Sequence, residues 1–160
     1  MTSRRSRPGP SKKPPLSAGY SGTPLAGKLG IKEGCKIFLW EAPDYYLNLV
    51  APLPDGVKLV SQISADTDLI HIFSAQRKQL SKALVSSLKK MKQDGVIWVS
   101  WPKKSSKVPT DITEDTIREV ALPIGLVDIK VCAIDEVLSG LKLVIRKENR
   151  RPTKLKSKAS

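Results

Sequence analysis

The sequence predicts a three-layer α/β fold whose sheet is mostly parallel and ends in an antiparallel hairpin. Short, nearly all-apolar runs alternate with amphipathic helical segments, which is typical of parallel strands covered by helices on both faces. Near the end of the chain, two long strand-like segments are joined by a short link, which favours an antiparallel pair. The predicted order is strand, helix, strand, strand, helix, strand, helix and the final hairpin.

Charge divides the chain into a body and two basic ends. The 160 residues contain 28 Lys and Arg against 15 Asp and Glu, a net charge of +13. Residues 1–19 hold five basic and no acidic residues, and residues 146–160 hold seven basic residues and only Glu148 as an acid. Residues 20–145 hold 16 basic and 14 acidic residues. We therefore predict one domain over 20–146, between disordered basic tails at 1–19 and 147–160.

The first half of the body contains two predicted helices and two predicted strands. Thr23 and Pro24 suit a helix start and Gly30 its end, so a short helix is expected over 23–30. Cys35–Trp40 is an apolar strand that we expect to be buried on both faces. The loop Glu41–Tyr46 follows, and a short helix starts at Pro43 with Tyr46, Leu47 and Val50 on its inner face. Val57–Val60 is a short strand near an edge.

The middle of the chain carries the clearest periodicity. Asp68–Phe73 is an apolar strand containing His71, for which we favour a structural, hydrogen-bonded role over catalysis. Ser74 then caps an amphipathic helix that runs to Met91. Its inner stripe consists of Leu80, Ala83, Leu84, Leu88 and Met91. Gly95 begins the central strand, Val96–Trp101.

The last third predicts one helix and the hairpin. Asp111 or Thr113 caps a helix whose inner face is Ile117, Val120 and Ala121. Two strands follow, Leu126–Ile134 and Leu141–Arg146, linked by residues 135–140. In the first of these strands apolar and polar residues alternate with a period of two, which predicts one solvent-exposed face.

Cysteine and histidine usage argues against a metal site. Cys35 and Cys132 each stand alone in apolar segments, no CxxC spacing occurs, and there is one histidine. Two reduced, buried thiols and a cytoplasmic protein are therefore expected. No apolar run is long enough for a membrane helix, and prolines occupy the place of a signal peptide's apolar region.

The loop Pro102–Asp111 is the strongest candidate ligand site. In α/β sheets ligands bind beyond the carboxyl ends of the strands, and this loop follows the central strand. Its lysines and hydroxyls suit a phosphate or carboxylate, although the composition is also that of an ordinary charged loop. The candidate residues are Tyr45, Trp101, Lys103, Lys104, Ser105, Ser106, Lys107 and Asp111. No catalytic residue is assigned.

The order of elements and the segment Met91–Val99 resemble a shortened class I methyltransferase, a Rossmann-like fold that also ends in an antiparallel hairpin. That resemblance implies a glycine-rich loop after the first strand and an acid after the second, which together hold S-adenosylmethionine. Here Glu41–Tyr46 contains no glycine, and Val60-Ser61-Gln62 supplies no acid. We therefore expect no cofactor, and no S-adenosylmethionine bound in the usual way.

A second resemblance covers residues 20–146. It is carried by Ser21–Ala26, by Trp98–Asp111 with its Trp-Pro-Lys-Lys-Ser-Ser core, and by Gly125–Lys142. These segments resemble the bacterial family catalogued as domain of unknown function 3052. The family has no established activity that the resemblance could carry over to this chain. The resemblance does imply that the tryptophan-proline-lysine loop is a family feature, which favours a functional loop.

Three hypotheses follow. The first, which we favour, is a non-catalytic module that binds a small anionic or nucleotide-like ligand, or a protein partner, between Glu41–Tyr46 and Pro102–Asp111. The second is a divergent methyltransferase-like enzyme. The third is weak nucleic-acid binding through the basic tails, which would depend steeply on salt. A homo-oligomer is compatible with all three, and membrane binding is not expected.

Overall fold

The computed structural model describes residues 24–150, which form one mixed sheet with helices on both faces. The strands in this part of the chain are β1 (Lys36–Trp40), β2 (Lys58–Val60), β3 (Leu69–Phe73), β4 (Val96–Pro102), β5 (Leu126–Ala133) and β6 (Leu138–Ile145). The α-helices are α1 (Leu25–Leu29), α2 (Tyr46–Val50), α3 (Arg77–Lys90) and α4 (Glu114–Ala121). Single 3₁₀ turns lie at Lys104–Ser106, Leu122–Ile124 and Lys147–Asn149.

The sheet confirms the predicted fold class. Its strand order is β2-β1-β3-β4-β6-β5, in which β1 to β4 run parallel and β6 is antiparallel to both β4 and β5. Pro102, at the carboxyl end of β4, pairs with Leu138 at the start of β6. The β5–β6 turn therefore lies at the same edge as the loops that follow the parallel strands.

The central strand β4 separates two apolar cores. Ile97, Val99 and Trp101 face the core under α3 and α4, whereas Trp98 faces the core under α1 and α2. Six of the seven β4 residues are buried, because helices cover this strand on both sides. The indole Nε1 of Trp98 donates a hydrogen bond of 2.9 Å to the Leu29 carbonyl, which fixes α1 on the sheet.

The first two helices are shorter than predicted. Pro24 is the N-cap of α1 rather than its first residue, Gly30 ends the helix in the left-handed conformation as expected, and Thr23 lies outside the described residues. Helix α2 begins at Tyr46 rather than Pro43, because residues 43–45 form a turn closed by the bond from Tyr46 N to the Pro43 carbonyl. The prediction that Leu47 faces inward is wrong: its side chain is 49% exposed.

Strand β1 is less buried than predicted. Of its five residues only Ile37 is fully buried, and the others are half-buried. Phe38 and Trp40 meet edge to face with 5.9 Å between ring centroids, and both lie at the margin of the core under α3 and α4. Burial on both faces occurs in β3, where all five residues are buried, and not in β1.

The hairpin differs from the prediction at both strands. Strand β6 begins at Leu138 rather than Leu141, so Gly140 is a buried strand residue and not part of the link. The predicted alternation on β5 is wrong, because Ile129 and Val131 are 52% and 43% exposed. The pairing register shifts between Asp128 and Lys130, and the strand lies at the edge of the sheet. A bulge therefore reverses the side on which the later residues point.

Residues placed in the predicted C-terminal tail begin with an ordered turn. Lys147–Asn149 form a 3₁₀ turn, and Arg150 Nε donates to the Ile145 carbonyl at 3.0 Å. The predicted tail at 1–19 and residues 151–160 lie outside the described part of the chain.

Candidate functional site

The carboxyl edge of the sheet is built from loops that bond to one another. Thr110 Oγ1 donates to the Ala75 carbonyl at 2.8 Å, and Asp111 N donates to the same oxygen at 3.2 Å. These bonds join the loop after β4 to the loop after β3. Lys103 N donates to the Val137 carbonyl at 2.7 Å, which joins the same loop to the β5–β6 turn. The loop after β4 is therefore held at both ends.

A groove of about 450 Å³ opens between the end of β4 and the start of α4. Trp101, only 6% exposed, lies beside it as part of the core under α3 and α4. Of the eight predicted site residues, the groove brings together Trp101, Lys103 and Lys104. The remaining lining residues are Ile112, Thr113, Glu114, Asp115, Arg118 and Ser139.

Arg118 organises the charges of the groove. Its guanidinium donates to Glu114 at 3.0 Å, to Asp115 at 3.1 Å and to Asp128 of β5 at 3.0 Å. The hydrogen bond to Asp128, followed by that to Glu114, raises the Arg118 pKa, and the bond from Arg118 lowers the Asp128 pKa. Both groove carboxylates are thus paired with one cation, and the described residues supply no ion-pair partner for Lys103 or Lys104.

The hydroxyls of the loop form bonds within the loop itself. Ser106 Oγ donates to the Lys103 carbonyl at 2.6 Å and accepts from Val108 N at 3.3 Å. Lys107 ends the 3₁₀ turn in the left-handed conformation, with a φ of 61°. Ser105, Ser106 and Lys107 lie on this turn and do not line the groove.

Asp111 caps a helix. Its carboxylate accepts a hydrogen bond of 2.6 Å from Arg77 N, the first residue of α3, although the two residues are 34 positions apart. Thr113 caps α4 by accepting from Thr116 N. The prediction that Ser74 caps α3 is wrong, since Ser74 Oγ bonds to Gln76, the residue before the helix. A cap drawn from another loop leaves no local sequence signal.

Tyr45 lies apart from the groove. It is the N-cap of α2, on the opposite side of the sheet from Trp101, and its ring is 44% exposed. Partial burial, and then the negative charge of Asp135, raise the Tyr45 pKa. The charge that acts on the Tyr45 hydroxyl is thus in the β5–β6 turn. The structure places Tyr45 and Trp101 on opposite faces of the carboxyl edge.

Beneath this edge, on the side of the sheet that α1 and α2 cover, three buried polar side chains link α2 to the neighbouring strands β3 and β4. His71 Nδ1 is 3.1 Å from Tyr46 Oη, and His71 Nε2 is 2.7 Å from Ser100 Oγ. All three side chains are buried, and the His71 ring stacks on Phe73 at 4.3 Å. Burial lowers the His71 pKa to about 3. The prediction that His71 is a hydrogen-bonded histidine within a strand is confirmed, and the Ser100 side chain is buried beside it.

The loop after β1 contains no glycine. Its first residue, Glu41, has a φ of 57°, a conformation that favours glycine, yet it carries an exposed side chain. Tyr46, at the end of this loop, is 2% exposed and turned into the core. Beyond β2, the exposed Ser61 and Gln62 offer no carboxylate for a ribose. These residues do not match the usual S-adenosylmethionine site.

Residues 24–150 contain no cluster of three or more Asp, Glu, His or Cys side chains placed to hold a metal ion. Cys35 and Cys132 are free thiols, and burial raises the pKa of each. Within the same described residues, no helix combines the length and the apolar character needed to span a membrane.

The sheet order is that of a methyltransferase-like Rossmann fold. A protein assigned to the type 11 methyltransferases of Sulfolobus solfataricus superposes with a TM-score of 0.54 at 14% identity, covering 80% of this chain and 93% of its own. An S-adenosylmethionine-dependent methyltransferase of Aquifex aeolicus also gives 0.54 at 14% identity, covering 76% of this chain and 87% of its own. At this identity the similarity establishes the fold alone.

The sequence itself places the chain in a family. The profile of the family described as "Protein of unknown function (DUF3052)" matches residues 57–147, more than half of the chain, which therefore belongs to it. The match covers β2 to β6 and includes the whole groove. Among curated proteins, none matches this sequence.

Proposed function

We propose that this protein is a non-catalytic α/β module that binds a small anionic or nucleotide-like ligand in the groove between β4 and α4. The observation that carries the proposal is the charge arrangement there. Arg118 is shared among Glu114, Asp115 and Asp128, whereas the ammonium groups of Lys103 and Lys104, beside the groove, form no ion pair with a described residue. Two neighbouring ammonium groups without an ion-pair partner suit a phosphate or a carboxylate.

The position of the groove supports the same proposal. It lies beyond the carboxyl end of the central strand, where α/β sheets bind their ligands. The indole of Trp101 adds an apolar wall, and the hydroxyl of Ser139 supplies a donor and an acceptor that orient a polar ligand. Tyr45 and Asp111 are not part of the proposed site, because the first lies across the sheet and the second caps α3.

A non-catalytic role is supported by the chemistry of the same edge. The groove contains no histidine or cysteine, and its two carboxylates bind Arg118, which disfavours their use as a general base. His71 is the only histidine in the sequence, and it is buried between Tyr46 and Ser100.

Thermal-shift measurements on the full chain test this proposal. The probes are ATP, ADP, inorganic phosphate and phosphorylated sugars, and the variants are Lys103→Ala/Lys104→Ala and, as a matched control, Lys89→Ala/Lys90→Ala at the end of α3. We expect at least one probe to raise the Tm of the wild type and the control by a few degrees, and the groove variant to lose that shift. No shift with any probe, or equal shifts in all three proteins, contradicts the proposal.

The fold favours a second function, that of a divergent methyltransferase. Its test is a calorimetric titration with S-adenosylmethionine. Because Glu41 and Gln62 stand where the cofactor loop and the ribose-binding acid are expected, we expect no heat of binding. A saturable binding isotherm that is lost on substitution in the loop after β1 would favour the enzyme over the binding module.

A further inference from the structure

The fold assembles a cluster of lysines that the sequence does not show. Lys28 is on α1, Lys32 follows that helix, Lys130 is on β5 and Lys142 is on β6. We name these four residues the lysine face. They are scattered over more than 100 positions of a body that is nearly neutral, so the grouping is a product of the fold.

The pairing of the strands places the lysine face on one side of the sheet. Lys142 lies between Leu141 and Leu143, which are buried in the core under α3 and α4, so Lys142 points to the α1 side. Lys130 is its direct partner across the β5–β6 pair, and residues directly opposite share a face. The side chains of Lys130 and Lys142 thus leave the sheet from directly opposite positions, on the side that α1 covers.

Electrostatic interactions link the residues of the lysine face. Burial, then repulsion by Lys130 and by Lys32, lower the Lys142 pKa, and the cations Lys28 and Lys130 both act on the thiol of Cys132. Within residues 24–150, neither Lys32, Lys130 nor Lys142 forms an ion pair, whereas Lys36, Lys92 and Arg118 all do. Like charges directly opposite each other destabilise a sheet. The stability of the fold therefore does not explain why two lysines are paired at this position.

We propose that the lysine face binds the phosphate backbone of double-stranded nucleic acid without reading its sequence. Lysine ammonium groups contact phosphates as point charges, and a row of them fits a polymer with regularly spaced anions. In the described chain Tyr45 is the only exposed aromatic residue, and it is at the carboxyl edge, so the lysine face offers no platform for stacked bases. This surface is distinct from the groove of the proposed function.

Two further features support a nucleic acid as the occupant. The segment that precedes Pro24 contains five basic residues and no acid in its first 19 positions, and it joins the described chain directly before α1. A second set of cations therefore precedes the lysine face in the sequence. Tails and face together favour a long anionic polymer over a single small anion.

Fluorescence anisotropy with a labelled 20-base-pair duplex of random sequence, measured over a range of salt, tests the proposal on the full chain. The variant is Lys130→Gln/Lys142→Gln, and the control with the same loss of charge is Lys89→Gln/Lys90→Gln. We expect the face variant to bind roughly tenfold more weakly at 0.1 M salt, and its log K against log salt slope to fall by about 2, while the control stays near the wild type.

The outcomes separate the alternatives. No binding by the wild type, unchanged affinity and slope in the face variant, or an equal loss in the control each overturn the proposal. Tighter binding to polyglutamate of matched charge than to the duplex assigns the face to an acidic protein and overturns it as well. The single variant Lys130→Gln, at an exposed position, is measured alongside the double variant. Thermal unfolding verifies that both are folded.

Discussion

Ser100 Oγ lies 2.7 Å from His71 Nε2, across two neighbouring strands and out of reach of solvent. The opposite ring nitrogen, Nδ1, is 3.1 Å from Tyr46 Oη. A neutral imidazole has one donor and one acceptor nitrogen, so it can donate to one of the two hydroxyls and accept from the other. A protonated ring would donate on both sides, leaving the hydroxyl hydrogens of Ser100 and Tyr46 without acceptors within this chain.

This arrangement predicts that stability falls when the pH drops below about 6.5. Burial lowers the His71 pKa from 6.5 to about 3 in the folded protein. Below pH 6.5 the histidine is therefore protonated in the unfolded chain but remains neutral in the native protein. The His71 contribution is complete above pH 6.5 and is lost as the pH falls toward 3, with a slope approaching about 1.4 kcal/mol per pH unit. Urea unfolding measured at intervals between pH 5 and 7.5 gives this slope.

The control is His71→Gln, which retains polar contacts but does not titrate in this range. Because the sequence has one histidine, the slope between pH 5 and 6.5 should flatten in the variant. Proton NMR of the wild type gives a second readout, since the imidazole resonances of the folded protein should not titrate down to pH 5. A histidine that titrates near 6.5 in the native state would contradict the prediction.

Substitution of Asp111 should change the stability of the protein rather than ligand binding. Its carboxylate accepts from Arg77 N at 2.6 Å and so caps α3 from a loop 34 residues away. We expect Asp111→Ala to lower the free energy of unfolding by about 1–2 kcal/mol and Asp111→Asn to retain most of it, because the amide oxygen can still accept. Denaturant unfolding measures both. An alanine variant as stable as the wild type, but defective in ligand binding, would return Asp111 to the candidate site.

The backbone conformation of Glu41 indicates that a glycine at this position should stabilise the protein. Its φ of 57° places a side chain in the left-handed region, which costs roughly 1–2 kcal/mol, whereas glycine adopts it freely. We expect Glu41→Gly to raise the free energy of unfolding by about 0.5 kcal/mol, after the greater entropy of glycine in the unfolded chain is deducted. Glu33→Gly, at an exposed position without a positive φ, should be destabilising. If both substitutions destabilise equally, the Glu41 side chain makes a favourable contact of its own.

The topology could be predicted because the apolar runs follow it directly. β3 and β4 are buried on both faces, so their sequences are continuous apolar segments, and the short hairpin link forces an antiparallel pair. The location of the candidate site followed from the same reasoning, since Trp101, Lys103 and Lys104 directly follow the end of β4 or lie within it. These signals are local in the chain.

The remainder of the site could not be predicted because it depends on distant contacts. Arg118 reads as a helix-surface residue in the sequence, and its link to Asp128 exists only when α4 packs on β5. The same is true of the capping by Asp111 and of the Lys130–Lys142 pair, whose register depends on a bulge. Gly140 gave a misleading signal, because a glycine near a short link resembles a turn residue.

Substitution of the buried Gly140 should disturb the packing of the core. A Cβ at this position would lie 2.8 Å from Ile134 Cδ1 and 3.3 Å from Trp98 Cε3. The indole is fully buried and bonded to the Leu29 carbonyl, and Ile134 is 2% exposed, so an added Cβ would have to displace side chains that are packed in the core. We expect Gly140→Ala to lower the free energy of unfolding by about 1–3 kcal/mol, although alanine suits a strand better than glycine. The double variant Gly140→Ala/Ile134→Val removes the atom at 2.8 Å, so it should be more stable than the sum of the two single changes. Additive losses would show that the conflict lies with Trp98 rather than Ile134.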